Sequence, residues 1–365
     1  MKVVFDAYWW VEGPPSLRHV LREIVQTWSA EFPSDELTLV VRRSHLEAAA
    51  ADAPAGATLV PTGLWPQGLA AAVAVPAAAR AVGADLVLTH NFAASPGSAL
   101  STVYLHDVLF ATNPEWFTPA ERAYFSLMLR WVRRAELVFT SSESEAARIR
   151  ENTRARVVLP VGLGLSVELT ADGRPETPDP LVSPRRFVLT VGRLNTRKNL
   201  AGAIAAALAS GLIDPDRPLV VVGSPDGRRE LLDDNALLAI NNGSVRFVGF
   251  VDEPRLRWYY RNTSLFVYLS HGEGFGMPPV EAEYFAASVV VSDLPVFRET
   301  LSDAHFVNPD DTEATAAAIA LGIAEGEARM PQPAPRASVA QQHSWPDTVR
   351  VMRMAAIDRL SVVAA

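Results

Sequence analysis

Two glutamates stand eight positions apart in the stretch HGEGFGMPPVEA, residues 271–282, with glycines and prolines between them. Glu273 and Glu281 can each accept two hydrogen bonds from a vicinal diol, and hydrogen bonds to an ionised acceptor are strong. Gly274 and Gly276 let backbone N–H groups approach a ligand closely. Carboxylates flanking such a loop suit a molecule with hydroxyls at each end and phosphate in the middle. A nucleotide sugar, built from a pyranose, a pyrophosphate and a ribose, fits that description.

The surrounding pattern places this loop between a strand and a helix. Residues 265–269 are predicted to form an apolar strand, and Pro278 or Pro279 suits the first turn of a helix, where a missing N–H costs nothing. We therefore expect Glu281 in the opening turn of that helix, whose N-terminus favours phosphate. A purely local role, in which Glu281 complements the helix dipole, leaves Glu273 and the glycines unexplained.

A second group of candidate residues lies in VGRLNTRKNL, residues 191–200, which follows a predicted strand and opens a predicted helix. Arg193, Arg197 and Lys198 supply three cations within six residues. The chain has only one other lysine, Lys2, so this interior lysine indicates a specific role. An arginine fork and a lysine point charge suit a diphosphate leaving group and stabilise the charge that develops as it departs. A merely solvated helix start is disfavoured, because cations there oppose the helix dipole.

Length and composition narrow the class of protein. The 365 residues predict about two domains, and the net charge of −8 argues against nucleic acid, whose binding proteins present basic faces. Cysteine is absent, which excludes disulfides, a thiolate nucleophile and a cysteine-based zinc site. No apolar run reaches the roughly 18 residues of a membrane span, and no signal peptide precedes the first predicted strand. We therefore expect a cytoplasmic protein.

Strand-like and helix-like stretches alternate along the chain, which predicts an α/β protein with doubly wound, mostly parallel sheets. Strands are predicted at residues 2–6, 37–42, 57–60, 85–89, 102–105, 136–140, 156–160, 186–191, 218–222, 245–248, 265–269, 288–292 and 305–307. Helices are predicted at residues 16–31, 67–82, 119–134, 142–151, 198–211, 227–241, 254–262, 278–287, 311–326 and 345–360.

Proline-rich residues interrupt this alternation and define the predicted domains. Residues 170–185 cannot build a core element and are interpreted as a linker. The predicted domains are residues 1–169 and 186–344, and residues 345–365 form a final helix that we expect to cross back to the first domain. Doubly wound domains bind ligands at the carboxyl ends of their strands, so a cleft between the domains is the expected site.

The motif VGRLNTRKNL and the stretch VRFVGFVDEPRLRWYYRNTSLFVYLSHGEGFGMPPVEAEYFAASVVVSDLPVFRET, residues 245–300, resemble the C-terminal domain of glycosyltransferase family 4, also called group 1. Within this retaining family, the chain resembles the mannosyltransferases. It implies the GT-B fold, in which two Rossmann-like domains face each other across a cleft. The sequence departs from the family at Ala287 and Ser288, where glycine and proline are common, which changes the packing behind the site.

The resemblance also implies roles for residues of the Glu-x7-Glu motif. In the family, the first glutamate and the backbone N–H groups after it contact the donor sugar. These roles fall on Glu273, Gly274, Phe275 and Gly276. The second glutamate contacts the ribose hydroxyls, a role that falls on Glu281.

The other donor-binding roles come from the same resemblance. The family's Arg and Lys bind the diphosphate, which implies Arg193 and Lys198, and with Glu273 these are the candidate catalytic residues of the second domain. The loop around Val251 lies where such enzymes often hold the base. No metal or other cofactor is expected, because cationic side chains would neutralise the diphosphate.

In the first domain, TVYLHDVLF places a histidine and an aspartate after a predicted strand, at His106 and Asp107. A histidine at a strand end is as compatible with a structural role as with a ligand. Family members often carry a His-Asp pair here, and their histidine approaches the donor sugar, which makes His106 a candidate catalytic residue. Three roles are open for Asp107: it orients His106, it contacts the acceptor, or it has a structural role.

The first strand-to-helix loop departs from the family's Gly-Gly-x-Gly pattern. It reads VEGPPSLRH, in which Gly13 is assigned to the donor site and two prolines follow it. Trp9 and Trp10 precede the loop and are candidates for an acceptor-stacking platform, although filling the core edge explains them equally well. The altered loop leaves acceptor binding open.

We expect a metal-independent, retaining glycosyltransferase that moves a hexose from a nucleoside-diphosphate sugar to a saccharide, glycolipid or small-molecule acceptor. GDP-mannose is the favoured donor, because HDVLFATNPEWF resembles bacterial mannosyl- and rhamnosyltransferases. The alternatives are a nucleotide-sugar epimerase or hydrolase of the same fold and a catalytically silent sugar-nucleotide-binding subunit. Weak peripheral contact with a membrane, through arginines of residues 122–134, stays open, as does the oligomeric state.

Overall fold

The structure is a computed structural model that describes residues 1–171, 173, 176–192, 195–224, 231–329 and 334–364. The chain divides into two compact units. The first unit comprises Met1–Pro114, Thr118–Gly164 and His343–Ala365, and the second comprises Glu115–Phe117 and Leu165–Gln342. Each unit is built on a parallel sheet.

The sheet of the first unit has the strand order β3-β2-β1-β4-β5-β6-β7, and every described pairing is parallel. Its central strands are apolar and β-branched because helices cover both faces of such a sheet. The order reverses between β1 and β4, which makes the carboxyl ends of these strands the expected ligand-binding edge. The strands are β1 Lys2–Asp6, β2 Glu36–Arg42, β3 Thr58–Thr62, β4 Leu86–His90, β5 Leu100–Tyr104, β6 Leu137–Thr140 and β7 Val158–Pro160.

The sheet of the second unit has the order β10-β9-β8-β11-β12-β13 and is also parallel throughout its described pairings. This is the Rossmann order, with its switch point between β8 and β11. Side chains such as Val188, Leu219, Leu265 and Val290 are fully buried in its core. The strands are β8 Val188–Val191, β9 Leu219–Val222, β10 Val245–Gly249, β11 Leu265–Tyr268, β12 Ser288–Ser292 and β13 His305–Val307.

The four helices predicted in the first part of the chain are present, and two short helices that were not predicted, Leu46–Ala50 and Leu109–Thr112, lie between them. The predicted helix 67–82 consists of α3, a π-helical turn at Ala70–Ala74 and α4. The wide turn immediately precedes the turn that contains Pro76, whose ring and missing N–H disfavour regular α-helical bonding. The helices are α1 Pro15–Glu31, α2 Leu46–Ala50, α3 Gln67–Leu69, α4 Val75–Val82, α5 Leu109–Thr112, α6 Pro119–Trp131 and α7 Glu143–Asn152.

Two of the later helices begin two or more residues after their predicted starts. The helix predicted from residue 198 begins at Leu200, after a 3-10 turn at Thr196–Lys198. The helix predicted from residue 227 begins at Asp234, where Asp233 caps it by accepting from the Ala236 N–H at 2.8 Å. The helices are α8 Val167–Thr170, α9 Leu200–Ala209, α10 Asp234–Asn241, α11 Glu253–Asn262, α12 Met277–Tyr284, α13 Pro295–Thr300, α14 Thr312–Ala328, α15 Ala337–Gln342 and α16 Trp345–Ala364.

The last helix, α16, packs within the first unit. Arg353 donates to both carboxylate oxygens of the buried Asp35, at 2.9 and 3.0 Å. Asp35 also accepts from the N-terminal ammonium at 2.7 Å and from the Trp28 indole at 3.1 Å. Bidentate arginine–carboxylate pairs are geometrically specific, so this pair fixes α16 beside the start of the chain.

Candidate functional site

The switch point of the second unit brings two loops together. The 3-10 turn at Thr196–Lys198 follows β8, and residues 269–276 follow β11. His271 N donates to the Arg197 carbonyl at 2.8 Å, and Ser270 Oγ lies 3.1 Å from the same carbonyl. The neighbouring positions of β8 and β11 in the sheet therefore place the basic turn directly against the glycine-rich loop.

Glu273 is the centre of this site and is only 6% exposed. Its carboxylate oxygen Oε1 lies 2.6 Å from Lys198 Nζ and 2.6 Å from Ser270 Oγ. The other oxygen, Oε2, lies 2.9 Å from Arg197 Nη1. The Tyr268 hydroxyl donates to Oε1 at 3.1 Å. The structure thus pairs the buried acid with two cations, as a buried charge requires.

Electrostatics keep Glu273 ionised. Burial, the largest single influence, favours the protonated acid, but the charges of Arg197 and Lys198 and the hydrogen bonds to the carboxylate together outweigh it. The pKa of Glu273 is lowered to about 2. A diphosphate that bound at this turn would meet Arg197 and Lys198, which are already paired with the Glu273 carboxylate.

Tyr268, the last residue of β11, connects the acid with the lysine. Its hydroxyl is hydrogen-bonded to Lys198 Nζ, and the ammonium also lies 4.8 Å from the centre of the tyrosine ring. Lysine can only donate, so the hydroxyl accepts from Lys198 and donates to Glu273. This arrangement fixes the orientation of all three groups.

Glu281 lies deeper in its helix than predicted. α12 begins at Met277, so Glu281 is the fifth helical residue, and the first turn carries no acidic residue. The expectation that Glu281 occupies the opening turn is therefore wrong. The half-buried side chain points into the protein, where the Tyr260 hydroxyl donates to Oε2 at 2.7 Å.

The environment of Glu281 favours its protonated form. Burial raises the pKa of Glu281 to about 7; the hydrogen bond from Tyr260 opposes this shift, and the nearby Glu253 carboxylate adds to it. The two glutamates of the motif therefore differ in charge: Glu273 is ionised, and Glu281 titrates near neutrality.

The loop between the two glutamates is tightly packed. Gly274, Phe275 and Gly276 are all buried, so the Phe275 ring contributes to packing. Gly276 caps α12 with φ +89°, and a Cβ added there would lie 2.4 Å from Phe297 Cε1. Only glycine fits this position without displacing the phenylalanine. As predicted, Pro278 lies in the first helical turn.

Two other predicted donor-site positions belong to the second unit. Arg193 lies outside the described residues. Val251 is half-buried in the connection between β10 and α11, next to Phe250, whose side chain is 82% exposed. Their roles stay predictions.

In the first unit, His106 follows β5 at the carboxyl edge of the sheet. Its Nε2 lies 3.4 Å from His90 Nδ1, and its backbone N–H points to Asn91 Oδ1 at 3.4 Å. Burial first, and then the neighbouring His90, lower the pKa of His106 well below that of a free imidazole. The Asp107 carboxylate accepts from the Leu109 N–H at 3.3 Å and so shapes the turn into α5.

The two tryptophans before the altered loop have different environments. Trp10 is 1% exposed and lies in the core, so it presents no ring face to an acceptor in this structure. Trp9 is half-buried, and its indole N–H donates to Gln67 Oε1 at 2.9 Å. A Cβ added at Gly13 would lie 2.5 Å from the Trp9 ring. Gly13 therefore makes room for Trp9.

A buried polar network supports this edge of the first unit. Gln67 Nε2 donates to Asp6 Oδ2 at 2.9 Å and to the His90 carbonyl at 3.0 Å, while its Oε1 holds Trp9. Burial raises the pKa of Asp6 to about 6, although hydrogen bonds from Gln67 and the Tyr8 backbone oppose the shift. A buried glutamine with its amide bonded at both ends defines one orientation for its neighbours.

Sequence reasoning missed several of these side chains. Tyr268 and Ser270 lie within five residues of Glu273, and a hydroxyl at the end of an apolar strand was an available signal. His90 and Gln67 gave no such signal, because only the tertiary structure brings His90 beside His106 and Gln67 beside Trp9.

Each of the two units is a Rossmann-like parallel-sheet domain, as in proteins with the GT-B fold, and the second unit carries a buried cluster of acid and cations at its switch point. Residues 176–332, which lie in the second unit, match the family model described as glycosyl transferases group 1. The predicted fold class is confirmed, and the predicted resemblance to this family is confirmed over residues 176–332.

Curated relatives carry mannosyltransferase names. The chain is 26% identical over 254 residues to the O-antigen chain mannosyltransferase B of Escherichia coli, covering 66% of this chain and 65% of that protein. It is 35% identical over 148 residues to the phosphatidyl-myo-inositol mannosyltransferase of Mycolicibacterium smegmatis, covering 39% of this chain and 37% of that protein. The aligned part thus spans less than two thirds of either relative.

Solved structures share the fold. The sucrose-phosphate synthase of Thermosynechococcus elongatus matches with a TM-score of 0.70 at 18% identity, and the match covers all of both chains. HepE of Anabaena, solved with UDP and glucose, matches with a TM-score of 0.62 at 16% identity, covering 98% of this chain and all of that one. Within the described residues, no helix has the length and apolar character needed to cross a membrane.

Proposed function

We propose that this protein is a retaining glycosyltransferase that moves a hexose, with mannose favoured, from a nucleoside-diphosphate sugar to a hydroxyl of a saccharide, glycolipid or small-molecule acceptor. The single observation that carries the proposal is the buried cluster of Glu273 with Lys198 and Arg197 at the switch point of the second unit. It supplies cations for a diphosphate beside a carboxylate for hydroxyl groups.

The geometry supports a division of roles in the cluster. Lys198 and Arg197 would stabilise the negative charge that develops on the departing diphosphate, which is where electrostatic catalysis is most effective. With its pKa lowered to about 2, Glu273 is ionised and would accept hydrogen bonds from the hydroxyls of the sugar. Glu281 would accept from the ribose, and His106 would contact the sugar from the first unit. The cationic side chains support transfer without a metal ion.

The names of the relatives support the choice of sugar and acceptor. Both relatives described above are named for mannose transfer, one to an O-antigen chain and one to a phosphatidyl-myo-inositol. GDP-mannose is therefore the first donor to test, and a saccharide or glycolipid the first acceptor. Retention of configuration is proposed from the family.

The decisive experiment is incubation of the full chain with radiolabelled GDP-mannose, UDP-glucose and dTDP-rhamnose, each with and without lipid-linked saccharide extracts. We expect label to move to the acceptor from one donor. Release of free sugar or conversion of the donor without transfer would instead indicate the hydrolase or epimerase. Binding with neither outcome would indicate a silent subunit.

The chain offers a matched control for the cluster. Lys198→Ala removes the cation beside Glu273, and we expect turnover to fall by about 100-fold or more. Lys2→Ala removes the only other lysine, which lies on β1 and is exposed, and we expect it to leave turnover unchanged. Near-normal turnover in Lys198→Ala would contradict the leaving-group role.

A further inference from the structure

A second histidine lies directly behind His106. His90 is the last residue of β4 and is 2% exposed. The sheet pairs His90 with Tyr104 of β5, two residues before His106. This register brings His90 Nδ1 to 3.4 Å from His106 Nε2, with the ring centres 5.7 Å apart.

The surroundings of His90 fix its position and its charge. Its carbonyl accepts from Gln67 Nε2 at 3.0 Å and from the Phe92 N–H at 2.7 Å, and its ring packs at 5.8 Å from the Tyr104 ring. Burial lowers the pKa of His90 to about 3, so the imidazole is neutral at neutral pH. A neutral imidazole carries one N–H and one acceptor nitrogen.

The contact between the rings therefore has only two proton arrangements. In one, His90 Nδ1–H donates to His106 Nε2, and His106 carries its own proton on Nδ1. In the other, His106 Nε2–H donates to His90, and His106 Nδ1 is a bare acceptor. In both, the nitrogen of His106 that faces away from His90 has the opposite character to the one that faces it.

The environment of His90 Nε2 discriminates between these two proton arrangements. Its Nε2 is buried and has no hydrogen-bond partner in the part of the chain that the structure describes. In the second arrangement that nitrogen would carry an unpaired buried N–H, and orphaned buried donors are rarer in proteins than under-satisfied acceptors. The first arrangement leaves only an unpaired acceptor there.

We propose that His90 is a positioning residue that holds His106 in the Nδ1–H tautomer, so that His106 presents a hydrogen-bond donor to an oxygen atom of the transferred sugar. This inference rests on the proposed glycosyl transfer and adds to it the direction of the hydrogen bond. His90 acts through His106 and does not itself touch the substrate.

Nitrogen-15 NMR of the full chain with labelled histidine tests the tautomer without any kinetic measurement. The His106 signal is assigned by its loss in His106→Gln. We expect the neutral Nδ1–H form of His106 at neutral pH in the unmodified protein. Observation of the Nε2–H form would overturn the proposal.

Two substitutions of His90 separate positioning from packing. His90→Asn places an amide N–H close to the position of Nδ1, so we expect it to keep the His106 tautomer and to retain transfer within about threefold of the unmodified protein. His90→Leu fills the space without a donor, so we expect the tautomer to change and kcat/KM to fall about tenfold, the effect of one hydrogen bond.

An unchanged tautomer and unchanged transfer in His90→Leu would also overturn the proposal. If Leu and Asn lower transfer equally while the tautomer is kept, His90 serves packing alone, which contradicts the positioning role. If the unmodified protein transfers sugar from no nucleotide donor, the proposed function fails, while the NMR result still decides the tautomer.

Discussion

Lys198 Nζ and Glu273 Oε1 lie 2.6 Å apart, and both contact the Tyr268 hydroxyl. In the structure, the Glu273 carboxylate is thus paired with the cations that would bind a diphosphate. A bound diphosphate would compete with Glu273 for Lys198 and Arg197. Release of the carboxylate from these cations would make it available to the hydroxyls of the sugar, which links sugar recognition to diphosphate binding.

Glu273→Gln tests this competition. We expect the variant to bind free nucleoside diphosphate more tightly, by roughly tenfold, because the internal anion no longer competes for the cations. Transfer should fall at the same time, because the ionised acceptor for the sugar hydroxyls is lost. Calorimetric titration with GDP and UDP measures the affinity, and the radiolabel assay measures transfer.

The control for Glu273→Gln is Glu253→Gln, which removes one negative charge near Glu281 but not from the cation cluster. It reports the general effect of a less negative unit on anion binding, and we expect a much smaller gain in affinity. Equal gains in the two variants would show that Glu273 does not compete with the diphosphate.

Tyr268→Phe removes the hydroxyl that connects Lys198 with Glu273 and keeps the ring. We expect kcat/KM for transfer to fall about tenfold, since one hydrogen bond to charged groups is lost. Tyr260→Phe is the matched variant, because the Tyr260 hydroxyl donates to Glu281 at 2.7 Å. Tyr260→Phe should weaken the binding of free nucleoside diphosphate, because Glu281, which would accept from the ribose, loses the hydrogen bond that orients it.

Steady-state kinetics with varied donor and calorimetry with free nucleoside diphosphate distinguish the two tyrosine variants. The division of roles between the glutamates requires that they differ: Tyr268→Phe should affect mainly transfer and Tyr260→Phe mainly nucleotide affinity. The same loss in both measurements for both variants would contradict it.

The strands could be predicted because a parallel sheet covered on both faces requires continuous apolar, β-branched runs. Strand β12, Ser288–Ser292, and strand β13, His305–Val307, match their predicted ranges. Short helices such as Leu46–Ala50 and Pro295–Thr300 were missed, because five or six residues show too little periodicity.

The candidate site was predictable only where its chemistry lies in one stretch of sequence. Glu273 and Lys198 were found from local motifs, whereas the contact between them depends on β8 and β11 being neighbours in the sheet. The contrast between Glu273 and Glu281 could not be predicted, since it depends on which cations and apolar groups surround each carboxyl. His90 depends in the same way on the pairing of β4 with β5.

Glu281 predicts a pH dependence of stability. Its pKa is raised from 4.5 to about 7, so the folded protein holds a proton that the unfolded chain releases in this range. The stability contributed by Glu281 is therefore fully present below about pH 4.5 and is lost as the pH rises to about 7, by at most about 3 kcal/mol. Glu281→Gln should remove this slope.

Denaturant unfolding at several pH values measures the slope, with the transition of the second unit followed separately because two units need not unfold together. Asp310→Asn is the control, because it removes an exposed carboxylate from the same unit. It should keep the slope of the unmodified protein. A Glu281→Gln variant with the same slope as that protein would rule out the titration of Glu281 as its cause.

Gly276→Ala tests the packing of the loop between the two glutamates. The substitution introduces left-handed backbone strain, at φ +89°, and places a Cβ 2.4 Å from Phe297 Cε1. Gly211 has a similar φ of +70° but open space around it, so Gly211→Ala introduces the strain alone. We expect Gly211→Ala to cost roughly 1–2 kcal/mol of stability and Gly276→Ala about 1–3 kcal/mol more. Denaturant midpoints measure both losses.

The clash with Phe297 can be isolated by a double-mutant cycle. Phe297→Leu shortens the side chain that the new Cβ would meet, so we expect it to recover much of the extra loss in Gly276→Ala and none of the loss in Gly211→Ala. If the two alanine variants are equally stable, or if Phe297→Leu recovers neither, the glycine is needed for its backbone conformation alone. In that case Phe297 does not restrict the loop that precedes α12.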